Sequence, residues 1–314
     1  MKRKLILLVA LIFLFFVTSC AGGPQRKPQI PQSLNRGDNK EPRIKVALHE
    51  TGEIREMPFE EYIAGVVAGE MQPDFPVNAL AAQAILARTF TLDFVANKKS
   101  KYGGAHISTD KTEAQAYNPE AINDRIRQAV RKTRGKVATH NGDYIKAWFH
   151  SHAGGKTATA KEGLNFKEKE PPYIKVVKSP DSPKAPAERA SWTATFTKQE
   201  FANALKQLGQ DPGNFDQVKI TKKGPSGRAT RISAGRAKVA GADLRTALGP
   251  DKLKSTLINN IRVTGNNITI SGKGWGHGVG MSQWGAYQMA ENGKSAEDIL
   301  NYYFKNIDIV KLWN

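Results

Sequence analysis

Alternating apolar and polar positions predict that the main part of the chain begins with a β-hairpin. Residues 43–50 alternate Ile, Val and Leu with polar side chains, and residues 53–57 can pair with them in the same pattern. Pro58 and Pro76 then precede two apolar segments with helical spacing, of which the second, residues 77–96, is rich in alanine. The chain therefore turns from strand to helix within its first hundred residues.

The later segments add β structure to these helices. Residues 120–133 predict a third helix, and Asn141-Gly142 predicts the turn of a second hairpin. Residues 191–270 read as short strands with one capped helix, and a glycine-rich loop at residues 272–280 leads into the closing helices. We therefore expect an α+β fold.

The predicted architecture is a single large domain over residues 43–314. Its helical part packs on mixed antiparallel β structure, and a β-rich lobe completes it. Cys20 is the only cysteine in the chain, so this domain has neither a disulfide nor a thiolate for catalysis or metal binding. Core packing has to stabilise it.

The first twenty residues have the pattern of an export signal. Lys2, Arg3 and Lys4 precede an apolar run over residues 5–17, which is shorter than the ~20 residues that a membrane-spanning helix needs. The residues before Cys20 resemble a bacterial lipobox, in which the cysteine is lipidated and becomes the new N-terminus. Residues 1–20 are therefore predicted to be a lipoprotein-type signal segment, with an ordinary cleaved signal as the alternative.

Charge and composition indicate a partner outside the cytoplasm. Residues 21–42 are polar and rich in Pro, Gly, Gln, Lys and Arg, which predicts a disordered tether. The net charge of +18 favours an anionic partner, and outside the membrane these are lipid head groups, wall polymers and peptidoglycan. The export signal, together with the scarcity of aromatic residues among the basic ones, argues against nucleic acid.

Glu70 is a charged residue at the end of an apolar helical stripe. Ile63, Val66, Val67 and Glu70 recur at the spacing of one helix face, which puts the carboxylate on the buried side. Desolvation should raise its pKa, and a carboxyl group that is protonated near neutral pH can donate its proton to a leaving group. The alternative is a structural role, such as an ion pair with Arg88 in the next helix.

Glu70 belongs to the first of three polar clusters in the chain. Each cluster alone is a weak signal, because single histidines and glycine-rich loops are common structural features. They are Glu70 with Gln83 and Arg88, then His150-Ser151 with the turn Gly154-Gly155, and finally His277 with Gln283 in the glycine-rich loop.

Taken together and in this order, the motifs resemble the stage II sporulation protein D family of peptidoglycan lytic transglycosylases and its amidase-enhancer relatives. The resemblance covers residues 43–314. It is carried by Glu61-Tyr62 through Glu70-Met71, by Ala81-Ala82-Gln83-Ala84 through Ala87-Arg88-Thr89, by His150-Ser151 through Gly154-Gly155, and by the segment from Gly276-His277-Gly278 to Gln283-Trp284-Gly285-Ala286.

The resemblance implies that Glu70 is the catalytic acid and base. It would protonate the oxygen between N-acetylmuramic acid and N-acetylglucosamine and then help the muramyl 6-hydroxyl to attack C1, which leaves a 1,6-anhydromuramyl end. The other residues are implied to bind substrate. Gln83 and Arg88 would hold sugar hydroxyls or the lactyl carboxylate, and the remaining cleft residues would be His150, Ser151, Gly154, Gly155, His277 and Gln283.

We expect neither a metal nor a cofactor. Some members of the family resemble zinc proteins with cysteine and histidine ligands, but Thr109 and Ala114 occupy the cysteine positions here. Weak metal binding by His106, His150 and His152 stays open.

The expected partners are peptidoglycan glycan strands, the membrane through the lipidated N-terminus, and a cell-wall amidase. The expected location is the outer face of the cytoplasmic membrane, with a role in wall remodelling during sporulation. One alternative is a non-catalytic glycan-binding enhancer of an N-acetylmuramoyl-L-alanine amidase, which would not need Glu70. Another is a serine or metal hydrolase built on His150, Ser151 and His152, for which the sequence offers no convincing third metal ligand.

Overall fold

The computed structural model describes residues 27–37 and 39–314. This part of the chain contains nine α-helices and one short 3₁₀ helix at Pro119–Ala121. The α-helices are α1 (Phe59–Glu70), α2 (Val77–Asn97), α3 (Asp124–Lys132), α4 (Ala160–Leu164), α5 (Ala187–Ala190), α6 (Lys198–Gln207), α7 (Gly241–Ala247), α8 (Gln283–Glu291) and α9 (Ala296–Tyr303).

The strands form several small sheets, and most of their pairings are antiparallel. They are β1 (Arg43–Ala47), β2 (Ile54–Pro58), β3 (Ile107–Ser108), β4 (Lys136–His140), β5 (Asp143–Tyr144), β6 (Phe149–His150), β7 (Ser191–Thr197), β8 (Val218–Lys223), β9 (Ala229–Ala234), β10 (Ala237–Ala240), β11 (Ile258–Thr264), β12 (Asn267–Lys273), β13 (Met281–Ser282) and β14 (Asp308–Lys311). The sheet orders are β2-β1-β3, β10-β9-β8, β11-β12-β7, β13-β6 and β14-β4-β5. This mixture confirms the predicted α+β class.

Helix α2 is the centre of a helical body. It packs against α1, α3, α8 and α9, and most of its residues are buried because their small alanine side chains let the neighbouring elements approach closely. Its length and composition would also allow it to span a membrane, but 78% of its most apolar window is buried inside the protein. Helix α2 is therefore a core helix.

A β-rich lobe over residues 191–273 has its own hydrophobic core. Trp192, Phe196, Phe201 and Leu205 from β7 and α6 pack there with apolar residues of the β8–β12 strands. Helix α6 begins with the predicted capping box, in which Thr197 and Glu200 satisfy each other's backbone N–H groups. The lobe is inserted between two parts of the helical body, which has a separate core.

The fully buried Arg228 guanidinium joins the lobe to the helical body. It donates hydrogen bonds to the carbonyl oxygens of Ala153 and Lys156, at 2.7 Å and 2.8 Å. The buried Glu162 carboxylate of α4 in turn accepts from the Ser226 hydroxyl and from the backbone N–H of Arg228. These contacts fix the lobe against residues 153–156.

The described residues before β1, 27–37 and 39–42, differ from the predicted tether. Leu34 is only 1% exposed and belongs to the core of the helical body. The Lys27 ammonium donates to the carbonyl of Lys311, and the Tyr144 hydroxyl donates to the carbonyl of Gln29. Composition alone missed this segment because one buried leucine and a few hydrogen bonds leave no compositional signal. The predicted signal segment and the rest of the predicted tether before residue 27 lie outside the described residues.

Two predicted elements are broken in the structure. The third helix is divided into the 3₁₀ turn at Pro119–Ala121 and α3, which starts at the Asn123 cap. The hairpin across Asn141-Gly142 forms, but its ladder with β4 ends at Tyr144, and the last bond to β4 is from the Ile145 N–H to the Ala138 carbonyl at 3.3 Å. The chain pairs again only at β6, where Phe149 and His150 lie beside Met281 and Ser282 of β13 in parallel.

Candidate active site

Glu70 is the last residue of α1, and its side chain is half-buried. Ile63, Val66 and Val67 are fully buried on the same helix, as the spacing predicts. The backbone N–H of Ala116 donates to Oε1 of Glu70 at 2.6 Å. Burial raises the pKa of the Glu70 carboxyl above its usual value, while the Ala116 hydrogen bond and the Lys111 charge oppose that rise. The carboxyl group therefore has the environment expected of a general acid.

Two glycines of α1 bring the Ala116 segment onto this helix. A Cβ atom on Gly65 would lie 2.2 Å from the ring of Tyr117, and one on Gly69 would lie 2.7 Å from the backbone of Ala116 and Tyr117. The N–H of Asn118 donates to the carbonyl of Gly65 at 2.9 Å, one turn before Glu70. Any larger residue at either glycine would push the segment, and with it the Ala116 N–H, away from Glu70.

Gln283 connects the helix that carries the acid to the glycine-rich motif. Its Nε2 donates to the backbone carbonyl of Glu70 at 3.0 Å and lies 3.5 Å from Oε1 of the buried Gln83. Gln283 is the first residue of α8, which Ser282 caps, and the N–H of Trp284 donates to the carbonyl of Ser151 at 3.1 Å. These bonds bring Glu70, Gln83, Gln283 and Ser151 together.

His150 and His277 also lie together, with ring centroids 5.8 Å apart. Nδ1 of the buried His150 lies 3.1 Å from the carbonyl of Val279, and Nδ1 of His277 accepts from the Val279 N–H at 3.0 Å. Burial lowers the pKa of His150 well below its usual value, and the neighbouring His277 lowers it further because two protonated rings would repel each other. Burial also lowers the pKa of His277 to about 3, with contributions from Arg245 and Arg228. Both rings are neutral at neutral pH.

The N–H groups of Gly154 and Gly155 are bonded within the protein, whereas the family resemblance implied that both residues line a sugar-binding cleft. Gly154 donates to Nδ1 of His152 at 3.0 Å, and Gly155 donates to Oδ2 of Asp181 at 3.1 Å. Gly154 has a φ of +71°, and a Cβ there would lie 2.9 Å from the side chain of Leu257. The turn is therefore glycine-rich because the fold requires it.

Asp181 is a residue that the sequence analysis missed. Its side chain is 5% exposed and accepts hydrogen bonds from the Ser282 hydroxyl at 2.6 Å and from the Ser179 hydroxyl at 2.8 Å. Its Oδ2 lies 3.4 Å from Nδ1 of His152. It thus joins the Gly154-Gly155 turn to the Ser282 cap of α8. The only local sequence signal was a Pro-Asp pair of the kind common in turns.

Arg88 lies away from Glu70, which corrects both roles considered for it. Its guanidinium is fully buried and donates to Oε2 of Glu60 at 2.8 Å and to the carbonyl of Lys136 at 2.9 Å. The other Glu60 oxygen accepts from the Gly135 N–H and from Nε1 of Trp313. Arg88 therefore ties α2 to α1 and to β4, while Glu60 reaches the C-terminal Trp313, and Arg88 is neither the partner of Glu70 nor exposed to a sugar.

A metal could bind where several acidic, histidine or cysteine side chains converge. Within residues 27–37 and 39–314, no group of three such side chains is arranged to hold one. His106 is separate from the other histidines named above, and its Nδ1 accepts from the N–H of Lys45 at 3.0 Å.

Comparison with known proteins adds to this geometry. Residues 47–140 match the family model described as stage II sporulation protein, and residues 158–280 match one described as a domain of unknown function. The stage II sporulation protein D of Bacillus amyloliquefaciens is 38% identical over 287 residues, which cover 86% of this chain and 80% of that protein. The chain belongs to the stage II sporulation protein D family.

Two further relatives of this chain carry names other than stage II sporulation protein D. An uncharacterized protein of Brachyspira hyodysenteriae is 35% identical over 258 residues, which cover 82% of this chain and 68% of that protein. The amidase enhancer of Bacillus subtilis is 28% identical over 294 residues, which cover 77% of this chain but only 39% of that protein. The named relatives of this chain are therefore a stage II sporulation protein D and an amidase enhancer.

Proposed function

We propose that this protein remodels the cell wall during sporulation as an exported peptidoglycan lytic transglycosylase, with Glu70 as its acid and base. The observation that carries the proposal is the half-buried Glu70 carboxyl, whose pKa is raised by burial while one of its oxygens is held by the Ala116 N–H. Family membership and the names of the relatives support the sporulation and wall context.

The proposed reaction needs only one carboxyl group. Protonated Glu70 gives its proton to the oxygen that links C1 of N-acetylmuramic acid to N-acetylglucosamine, and the C1–O bond breaks. The resulting Glu70 carboxylate takes the proton of the muramyl 6-hydroxyl as O6 bonds to C1. The product is a 1,6-anhydromuramyl end, and no water is consumed. A second carboxylate, which glycoside hydrolases require, has no role here because the nucleophile belongs to the substrate.

The neighbouring residues position the acid in this proposal. The Ala116 N–H holds Oε1, which leaves Oε2 to carry the proton toward the sugar. Gln283 fixes the backbone of Glu70 at the end of α1, and Gln83 adjoins it. His150, Ser151 and His277 would line the adjacent part of the site in this proposal. Because both histidines are neutral at neutral pH, they would meet a sugar as neutral hydrogen-bonding groups.

Mass spectrometry of peptide-free glycan strands incubated with the full-length protein tests this proposal. Glu70→Gln keeps the size and the hydrogen-bond acceptor of the side chain but cannot donate a carboxylic proton. Glu61→Gln is a matched control, since Glu61 is an exposed residue of the same helix. We expect anhydromuramyl ends from the wild type and from Glu61→Gln, and none from Glu70→Gln. Reducing ends from the wild type would contradict the proposal and would indicate a hydrolase.

A second candidate is a non-catalytic enhancer of an N-acetylmuramoyl-L-alanine amidase. Similarity to the amidase enhancer favours it. In this case the strands stay uncut but bind the protein, and a wall amidase is stimulated equally by the wild type and by Glu70→Gln. Stimulation that is lost with Glu70→Gln would exclude this candidate.

The proposed location is the outer face of the cytoplasmic membrane, with attachment through lipidated Cys20. The basic composition is consistent with an anionic environment there. Fractionation of cells that carry Cys20→Ser tests the anchor. The variant should leave the membrane fraction, and its retention there would contradict lipidation of Cys20.

A further inference from the structure

The three-stranded sheet β10-β9-β8 has an unusually cationic exposed side. Six positions of these strands are exposed, and five of them are Lys or Arg, with Thr221 as the exception. We name these five residues the basic sheet face: Lys219, Lys222, Lys223, Arg231 and Lys238. The strands contain no Asp or Glu, and none of the five residues forms an ion pair within the described part of the chain.

Strand register brings these cations together. Lys219 of β8 and Lys238 of β10 both lie opposite Ser233 of β9, so the three residues form one row across the sheet. Lys222 lies directly opposite Arg231, which comes two residues before Ser233 in β9. Directly paired residues point to the same face, and neighbouring positions of such a sheet are separated by ~5 to 7 Å. The cations are therefore close enough to act as one site.

This arrangement is unfavourable for the isolated fold, because like charges placed directly opposite each other in a sheet repel. Lysines on an edge strand are often explained as protection against aggregation, and β8 and β10 are indeed edge strands. That explanation does not extend to Arg231, which lies on the central strand and faces Lys222. A bound anion would offset the repulsion.

The uncharged positions of the same strands indicate which kind of anion fits. Thr221 is the uncharged exposed residue, and every aliphatic residue of β8, β9 and β10 is fully or partly buried. These strands contain no aromatic side chain on which a sugar could stack or with which the face could insert into a membrane interface. Recognition would rest on charge alone, and lysine ammonium groups bind phosphate as point charges.

We propose that the basic sheet face binds a linear phosphodiester polyanion, such as an anionic wall polymer of phosphate-linked polyols. This site is separate from Glu70 and needs no catalytic step. It would hold the protein within an anionic wall while the helical body acts on its own substrate. The strand β9 starts immediately after Arg228, whose guanidinium holds the carbonyl of Ala153, so the sheet that carries the face is fixed to residues 153–156 at that end.

Fluorescence anisotropy with a labelled linear poly(glycerol phosphate) tests the proposal on the full-length protein. The test variant is Lys219→Gln, Lys222→Gln and Lys238→Gln combined. The matched control is Lys99→Gln, Lys167→Gln and Lys169→Gln combined, which removes the same charge from exposed positions elsewhere. Melting temperatures of all three proteins check that they fold equally.

We expect the wild type and the control to bind the polymer alike, and the test variant to bind about tenfold more weakly at low salt, since charges within a Debye length act together. Binding should weaken as NaCl is raised from about 0.05 M to about 0.5 M. Equal losses in the test and control variants would overturn the proposal, because net charge would then explain binding. Tighter binding to phosphatidylglycerol vesicles or to peptide-bearing glycan than to the polymer would also overturn it. None of these results depends on cleavage activity.

Discussion

The backbone N–H of Ala116 donates a hydrogen bond to Oε1 of Glu70 across 2.6 Å. A hydrogen bond to the ionised form of a carboxyl group lowers its pKa, whereas burial raises it. Burial is the larger effect for Glu70, so the pKa stays above its usual value. The bond also fixes the orientation of the carboxyl group. The hydrogen bond from Ala116 thus influences both the pKa and the orientation of the Glu70 carboxyl group.

Gly69→Ala should remove this contact. The new Cβ would lie 2.7 Å from the backbone of Ala116 and Tyr117, which no side-chain rotation can relieve. We expect cleavage activity to fall by roughly tenfold to 100-fold, as for other misplaced catalytic groups. Loss of the N–H donor raises the pKa of Glu70 further. The acid then stays protonated to a higher pH, so the high-pH limb of kcat/KM should move upward, as pH–rate profiles can measure.

Gly103→Ala is the matched control for this change. Gly103 is exposed, and a Cβ there meets no atom within 4 Å. Its activity and pH profile should equal those of the wild type. If Gly69→Ala also behaved like the wild type, the close approach of Ala116 to α1 would have no part in setting the acid.

The buried pair of Arg88 and Glu60 should support stability and not catalysis. Arg88→Ala leaves the 7% exposed Glu60 carboxylate without its guanidinium partner, and breaking such a buried pair costs about 3 to 5 kcal/mol of unfolding free energy. Denaturant unfolding should show this loss. Arg55→Ala, which removes an exposed pair with Glu53, should change stability little.

Activity distinguishes this structural role from a substrate-binding role for Arg88. Below the temperature at which Arg88→Ala unfolds, the activity per folded molecule and the KM should stay near those of the wild type. A large rise in KM with unchanged stability would contradict the structure, because it would place Arg88 in contact with the glycan.

The local parts of this fold could be predicted because local signals determine them. Alternation gave the pairing of β1 with β2, the Thr197 capping box gave the start of α6, and helical spacing put Glu70 at the end of a buried stripe. Each of these features depends on residues that are close to each other in sequence. The family motifs likewise indicated that Gln83, Gln283 and Ser151 lie near Glu70.

Contacts between distant residues could not be predicted in this way. The choice of Glu60 over Glu70 as the partner of Arg88 depends on how α1 crosses α2 and on Trp313, far away in sequence. Asp181 acts through hydroxyl and N–H donors that meet only in the folded protein. Such hydrogen bonds leave no periodic pattern in the chain, and neither does the burial of a single Leu34.

His277 should make the fold sensitive to acid. Burial lowers its folded-state pKa to about 3, compared with 6.5 for a free side chain. Between these values the unfolded chain binds a proton that the folded ring does not, so this contribution to stability is present above pH 6.5 and is lost as the pH falls toward 3. At one pKa unit per ~1.4 kcal/mol, the loss reaches about 2 kcal/mol near pH 5.

His277→Asn tests this contribution while keeping an acceptor for the Val279 N–H, which donates to Nδ1 in the wild type. Denaturant unfolding at pH 7 and at pH 5 should show a smaller acid-induced loss in the variant than in the wild type. His150 shifts in the same direction, so the variant should retain part of the acid sensitivity. If both proteins lost the same free energy between these pH values, the ring of His277 would be accessible to protons in the folded state, and its proposed role as a neutral ring next to His150 would fail.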